Sequence, residues 1–173
     1  MNSFLLLVPF ILIRFGLLSI LSKEAINRAA YFPPLIKNEK AAYWLYQISN
    51  IAIFVYMFFL KIKTDPSWLF IMGLIIYGIG VMLCIVSIIN FAFPSKKGMN
   101  LNGIYHFSRN PMYLAYFIYF IGCVFLTQSL VLLGFVLVFQ ITAHWIILSE
   151  ERWCINKFGE EYIQYMKKVR RYI

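Results

Sequence analysis

Charge is what this chain has little of. Only 13% of its 173 residues are Asp, Glu, Lys or Arg, where a soluble globular domain carries about 25%. Against that stand a hydrophobic share of 62% and an aromatic share of 19%. The imbalance excludes an ordinary soluble domain and points to an integral membrane protein. The length suits one compact helical bundle and is too short for two independently folding domains. Cysteine is scarce as well. Cys84, Cys123 and Cys154 lie too far apart for a zinc pattern or a disulfide framework, so no metal is expected and they read as small packing residues. No basic stretch precedes the first apolar run, whose core is long, so a retained membrane helix is expected there and not a signal peptide. There is no internal repeat and no low-complexity tract. The net charge of +9 does not form a stripe interleaved with aromatics, which argues against nucleic acid. Cations at the ends of apolar segments suit anionic lipid instead.

What is abundant is apolar length. A helix that crosses a bilayer needs about 20 mostly apolar residues. Five segments are candidates: Ser3 to Leu21, Ala42 to Leu60, Trp68 to Phe91, the shorter Pro111 to Leu126, and Ser129 to Ser149. Arg14 is the one oddity of the first. Only Thr127-Gln128-Ser129 separates the last two, which predicts a tight antiparallel hairpin. In the third, Gly73, Tyr77 and Gly80 recur at helical spacing and read as a close-packing face. Tyr31-Phe32-Pro33-Pro34 cannot be helical at its prolines and marks a turn or interfacial segment. The expected fold class is all-α integral membrane: five transmembrane helices, a tight helix 4–helix 5 hairpin, and a cytoplasmic C-terminal helical tail. Residues 1–91 would form an N-terminal three-helix membrane region, and 92–173 a core of loop, hairpin and tail.

Apart from Arg14, Lys61 and Lys63, every lysine and arginine falls in the first loop, the third loop or the tail. By the positive-inside rule these face the cytoplasm and the N-terminus faces out. The third loop and the tail flank the same hairpin, so they can meet in space. Both carry polar groups against strongly apolar sequence. The loop reads "GIYHFSRNPMYLAYF", from Gly103 to Phe117, and the last span ends "FQITAHWIILSEERW". Gln140, His144 and Glu151 share one helical face, with Glu150 about a third of a turn away. Ionisable residues at a membrane boundary have bland readings: Arg109 as a snorkelling anchor, Tyr105 and Tyr113 as belt residues, the Glu pair as a solvated helix end. Their convergence on one membrane face points to a functional site.

Gly103-Ile104-Tyr105, Arg109-Asn110-Pro111-Met112-Tyr113, Glu150-Glu151, Phe158-Gly159-Glu160-Glu161-Tyr162, Tyr165 and Val169-Arg170 resemble, in order and spacing, the isoprenylcysteine carboxyl methyltransferase and phospholipid methyltransferase superfamily. The resemblance spans Pro94 to Ile173 and implies that this segment is a methyltransferase core. It implies S-adenosylmethionine as cofactor and a lipophilic acceptor embedded in the membrane. Carried over by position, Lys97, Gly98, Met99, Asn100, Tyr105, Asn110, Pro111, Met112, Tyr113 and Glu150 would bind the cofactor. Asn110 stands where the family usually has histidine, so it can hydrogen-bond but cannot titrate. Isoprenylcysteine enzymes place an arginine four residues before the first Glu to hold the substrate carboxylate. Here that position is Ile146, which turns the reading away from a prenylcysteine acceptor.

Bound cofactor carries an ammonium, a carboxylate and a sulfonium. Glu150 suits the first, Arg109 or a third-loop lysine the second, and Tyr105 or Tyr113 the third by cation–π contact. An amine acceptor must lose a proton, for which His144 or Glu151 is the candidate base. Two other classes fit less of the pattern. A sterol-type reductase with a nicotinamide cofactor has a similar C-terminal pattern but usually more helices. A non-enzymatic membrane module would leave the polar convergence without a purpose.

Overall fold

The computed structural model describes residues 1–36, 39–95 and 98–172. Helix α1 (Ser3–Leu21) starts as a 3-10 turn over Ser3–Leu6 and contains a π-helical turn at Leu12–Leu17. The short α2 (Lys23–Ala30) follows, its first turn capped by the Ser22 side chain. Then come α3 (Glu39–Phe59), α4 (Trp68–Ala92), α5 (Pro111–Thr127), α6 (Leu130–Phe158) and the tail helix α7 (Glu160–Lys168). A 3-10 turn at Gly103–His106 precedes α5. Among the described residues, all regular structure is helical except an isolated bridge between Asn2 and Lys61. Tyr31 to Ile36 is non-helical, as its prolines require.

Four helices are long and apolar enough to cross a membrane: α1, α3, α4 and α6. This fits an integral membrane protein. At 1.5 Å per residue α6 is about 44 Å long, well beyond a hydrocarbon core of about 30 Å. The span expected to close at Ser149 therefore runs on unbroken to Phe158 and carries Glu150 and Glu151 on its overhang. With 17 residues, α5 is the short one. It lies at the centre of the bundle, where Tyr119, Phe120 and Cys123 are fully buried.

The α4–α5 contact is close because each helix offers a glycine to the other's tyrosine. A Cβ on Gly80 would sit 2.5 Å from Tyr119 Cα, and one on Gly122 would sit 2.6 Å from Tyr77 Cα. The two tyrosine rings then lie 5.0 Å apart between the helices. This is the small-residue packing that lipid-embedded helices use. The hairpin between α5 and α6 is as tight as its sequence requires: Gln128 takes a left-handed conformation (φ 51°) and the Ser129 side chain caps α6.

Each end of the bundle has its own closure. At one end the N-terminus is tied to the segment after α3, with Ser3 N to Leu60 O at 3.1 Å and Ile62 N to Met1 O at 2.9 Å. Lys63 N reaches Leu126 O in the hairpin at 2.9 Å. At the opposite end sit α2, the 3-10 turn, α7 and the tail. There Arg152 grips Glu39 with both terminal nitrogens, at 2.8 and 2.7 Å, joining α6 to the start of α3.

Candidate active site

The Gly-x-Tyr motif starts the construction. Gly103 has φ +54°, and a Cβ there would collide with Asn90 Oδ1. That oxygen accepts a hydrogen bond from Ile104 N at 3.1 Å, pinning the 3-10 turn to the end of α4. Only glycine satisfies both demands. The turn aims Tyr105 inward, where it is 6% exposed. Burial pushes its phenol well above the ordinary tyrosine range, so it stays a neutral hydroxyl. Six residues on, Pro111 occupies the first turn of α5, where a missing N–H costs nothing. It is buried and does not line the cavity that Glu150 enters.

The tail locks this loop in place. Gly159 (φ 58°) turns the chain between α6 and α7. Tyr165 then donates to the Tyr105 carbonyl at 2.6 Å. Arg109 N donates to Arg170 O at 3.0 Å, and Asn110 Nδ2 to Arg171 O at 3.2 Å. Beneath them Glu151, 3% exposed, is held between two guanidinium groups. Arg109 Nη2 lies 2.9 Å from its Oε1 and Arg171 Nη2 2.8 Å from its Oε2. The hydrogen bonds to Glu151 hold Arg171 above its usual basicity. A carboxylate so deep is tolerated because both oxygens are paired with charge.

Glu150 goes elsewhere. One residue on a helix is a rotation of about 100°, and it carries Glu150 into a cavity of about 430 Å³ between the bundle and the loop. There the Tyr113 hydroxyl donates to Glu150 Oε1 at 2.7 Å. Met99, Asn100, Tyr105, Asn110 and Met112 share the wall, as do Gly98 and Arg109. Asn100 Oδ1 and Arg109 Nε are buried there without a partner among the described residues. Lys97 lies outside the described residues. The volume falls in the range of small-molecule sites.

His144 and Glu151, the two candidate bases, are not on that wall. They share a helical face as expected, but that face meets the tail: His144 Nδ1 lies 2.8 Å from the Tyr172 hydroxyl. The cavity also recruits residues that the sequence reading left out. Arg14, Arg28 and Tyr46 come from α1, α2 and α3, and Trp153 from the overhang of α6. Of these only Arg14 gave a signal, as a lone charge in an apolar run.

With this geometry in hand, a family model described as phospholipid methyltransferase matches residues 68–161. The chain belongs to that family. The match takes in α4, so the likeness reaches further toward the N-terminus than the motifs from Pro94 onward, and it stops inside α7. Nothing matches among curated proteins or solved structures. The matched segment contains the Gly-x-Tyr turn, the Arg-x-Pro-x-Tyr helix start and the Glu pair. It also sets the class of chemistry, a membrane methyltransferase, to which the cavity must answer.

Proposed function

We propose that the chain transfers a methyl group from S-adenosylmethionine to a lipophilic acceptor taken from the bilayer. The observation that carries this reading is the Tyr113–Glu150 hydrogen bond inside the 430 Å³ cavity, with family membership behind it. Family membership and this wall favour methyl transfer over the sterol-type reductase and the non-enzymatic module.

The donor set fits the cofactor. Among the described residues Glu150 is the one carboxylate on the wall, and it would take the ammonium. Arg109 Nε, unpartnered and buried, is the donor left for the carboxylate. Asn100 Oδ1, likewise orphaned, would accept from an amino or hydroxyl group of the nucleoside, and Tyr105 and Tyr113 would wall the rest. Gly98, Met99, Asn110 and Met112 complete that pocket, with Pro111 supporting it from behind. When bound, S-adenosylmethionine supplies a sulfonium methyl that passes to the acceptor's lone pair while the bonding electrons stay with sulfur. The protein's part is alignment and exclusion of water. Glu151 and His144 would act as positioning residues, one fixing Arg109 and the other the tail that braces the loop.

In the membrane, α5 would be a fifth span, short because its neighbours and not lipid cover it. Residues 92–173 would form the methyltransferase core, closed from the other side by 1–91. The end bearing α2, α7 and most cations would face the cytoplasm, where the soluble cofactor is available. Incubation of purified protein with isotopically labelled S-adenosylmethionine and a total lipid extract tests the reading. A lipid should gain labelled methyl. No labelled lipid, together with no cofactor binding by calorimetry, would sink it.

A further inference from the structure

A second cavity of about 550 Å³ lies between α1 and α3. Its walls are mainly apolar, with Phe15, Ile51, Phe54 and Val55 among them. Phe15 and Ile51 are more than half exposed on the bundle's outer surface, so the cavity opens sideways toward lipid. Arg14, Tyr46 and Tyr116 line both cavities and form the partition between them.

Arg14 is in an unusual position. It sits mid-helix in α1, within the π-helical turn Leu12–Leu17. Such turns re-aim side chains and are frequent at functional sites. A cation at this depth is costly and is normally paired or functional. Arg14 forms no ion pair among the described residues. Nη2 donates to the Ala29 carbonyl at 3.3 Å, and Nη1 is buried with no partner. The guanidinium carbon lies 5.6 Å from the Tyr116 ring centroid, and the Tyr116 hydroxyl is itself buried without a partner of good geometry. Arg14 Nη1 and the Tyr116 hydroxyl, neither with a partner of good geometry, thus lie at the partition between the two cavities. Arg14 also precedes the segment 68–161 that the family model matches.

We propose that Arg14, with the Tyr116 hydroxyl, forms an anion subsite at this partition and holds the phosphate of the acceptor lipid. The order of groups agrees with the chemistry of an amine-bearing phospholipid. The amine extends into the chamber, the phosphate meets Arg14, and an acyl chain lies in the groove. A guanidinium matches phosphate oxygens in charge and in its planar fork of donors. The subsite rests on the methyl-transfer reading for its purpose, but its binding chemistry can be measured separately.

The test uses full-length protein in a neutral detergent, titrated with dioleoyl phosphatidylethanolamine and with dioleoylglycerol, which has the same tails and no phosphate. Native mass spectrometry reads both affinities, and calorimetry reads S-adenosylmethionine. Arg14→Met should weaken the phospholipid tenfold or more, leave dioleoylglycerol and the cofactor unchanged, and be partly rescued in Arg14→Lys. Unchanged phospholipid affinity, or equal loss for both lipids, would overturn the subsite. So would loss of cofactor affinity with lipid affinity intact, which would give Arg14 to the donor. If Arg14→Met fails to fold, Tyr116→Phe decides: a selective phospholipid loss of threefold or more supports the subsite, and an unchanged ratio overturns it. Selective phospholipid binding by wild-type protein that binds no cofactor would keep the subsite and sink the methyl-transfer reading.

Discussion

The Tyr113 hydroxyl on α5 donates to Glu150 Oε1 on α6 across 2.7 Å. This one hydrogen bond joins the Arg-x-Pro-x-Tyr and Glu-Glu motifs, 37 residues apart in the chain. Glu150→Gln keeps the shape and removes the charge. A hydrogen bond to a charged group contributes about 1.5–3 kcal/mol, so S-adenosylmethionine should bind about 10- to 150-fold more weakly. Calorimetry in detergent checks this, and wild-type affinity would remove Glu150 from the ammonium site.

Glu151 should respond differently. Removing it leaves the buried Arg109 without its carboxylate and takes the same partner from the part-exposed Arg171. Breaking a buried pair this way costs about 3–5 kcal/mol. Glu151→Ala should therefore lower the melting temperature markedly and expose the tail to protease. A melting curve indistinguishable from wild type would show that the clamp contributes nothing to stability.

Gly103→Ala tests the turn. The new methyl meets Asn90 Oδ1, and the backbone there is in the left-handed region. The 3-10 turn should shift and take Tyr105 with it. Cofactor affinity should fall at least tenfold, while the fold, held by α4–α5 packing, stays intact by circular dichroism. Full affinity in Gly103→Ala would mean that the turn's position does not matter to the site.

Orientation can be read from single cysteines labelled with a membrane-impermeant maleimide in intact cells. Lys61→Cys should react from outside, and Lys168→Cys only after permeabilisation. Both lie at exposed positions; the native Cys84 and Cys123 are buried, and the half-buried Cys154 is replaced by serine in both variants. The reverse pattern would place the cavity on the outer face and away from cytoplasmic cofactor.

Much of this protein was legible in its residues because lipid imposes simple rules. Apolar length announced the helices, Thr127-Gln128-Ser129 announced the hairpin, and Gly80 announced a close neighbour. Tyr105, Tyr113 and Glu150, one from each of three motifs, do line a common cavity. The helical repeat even put Gln140, His144 and Glu151 on a shared face. It could not say what that face meets, because a rotation of about 100° between Glu150 and Glu151 sends one to the cavity and the other to Arg109 and Arg171.

Tertiary structure alone decided the rest. The tail proved to be a brace, since its contacts to Arg109, Asn110 and Tyr105 join residues far apart in the chain. Arg14 acquired meaning only when α1 came to lie beside Tyr116 on α5. Sequence fixes which segments must leave water and which residues can bear charge, because those follow from local composition. Which of those charges share a cavity depends on helix rotation and on contacts between distant segments, and packing sets both.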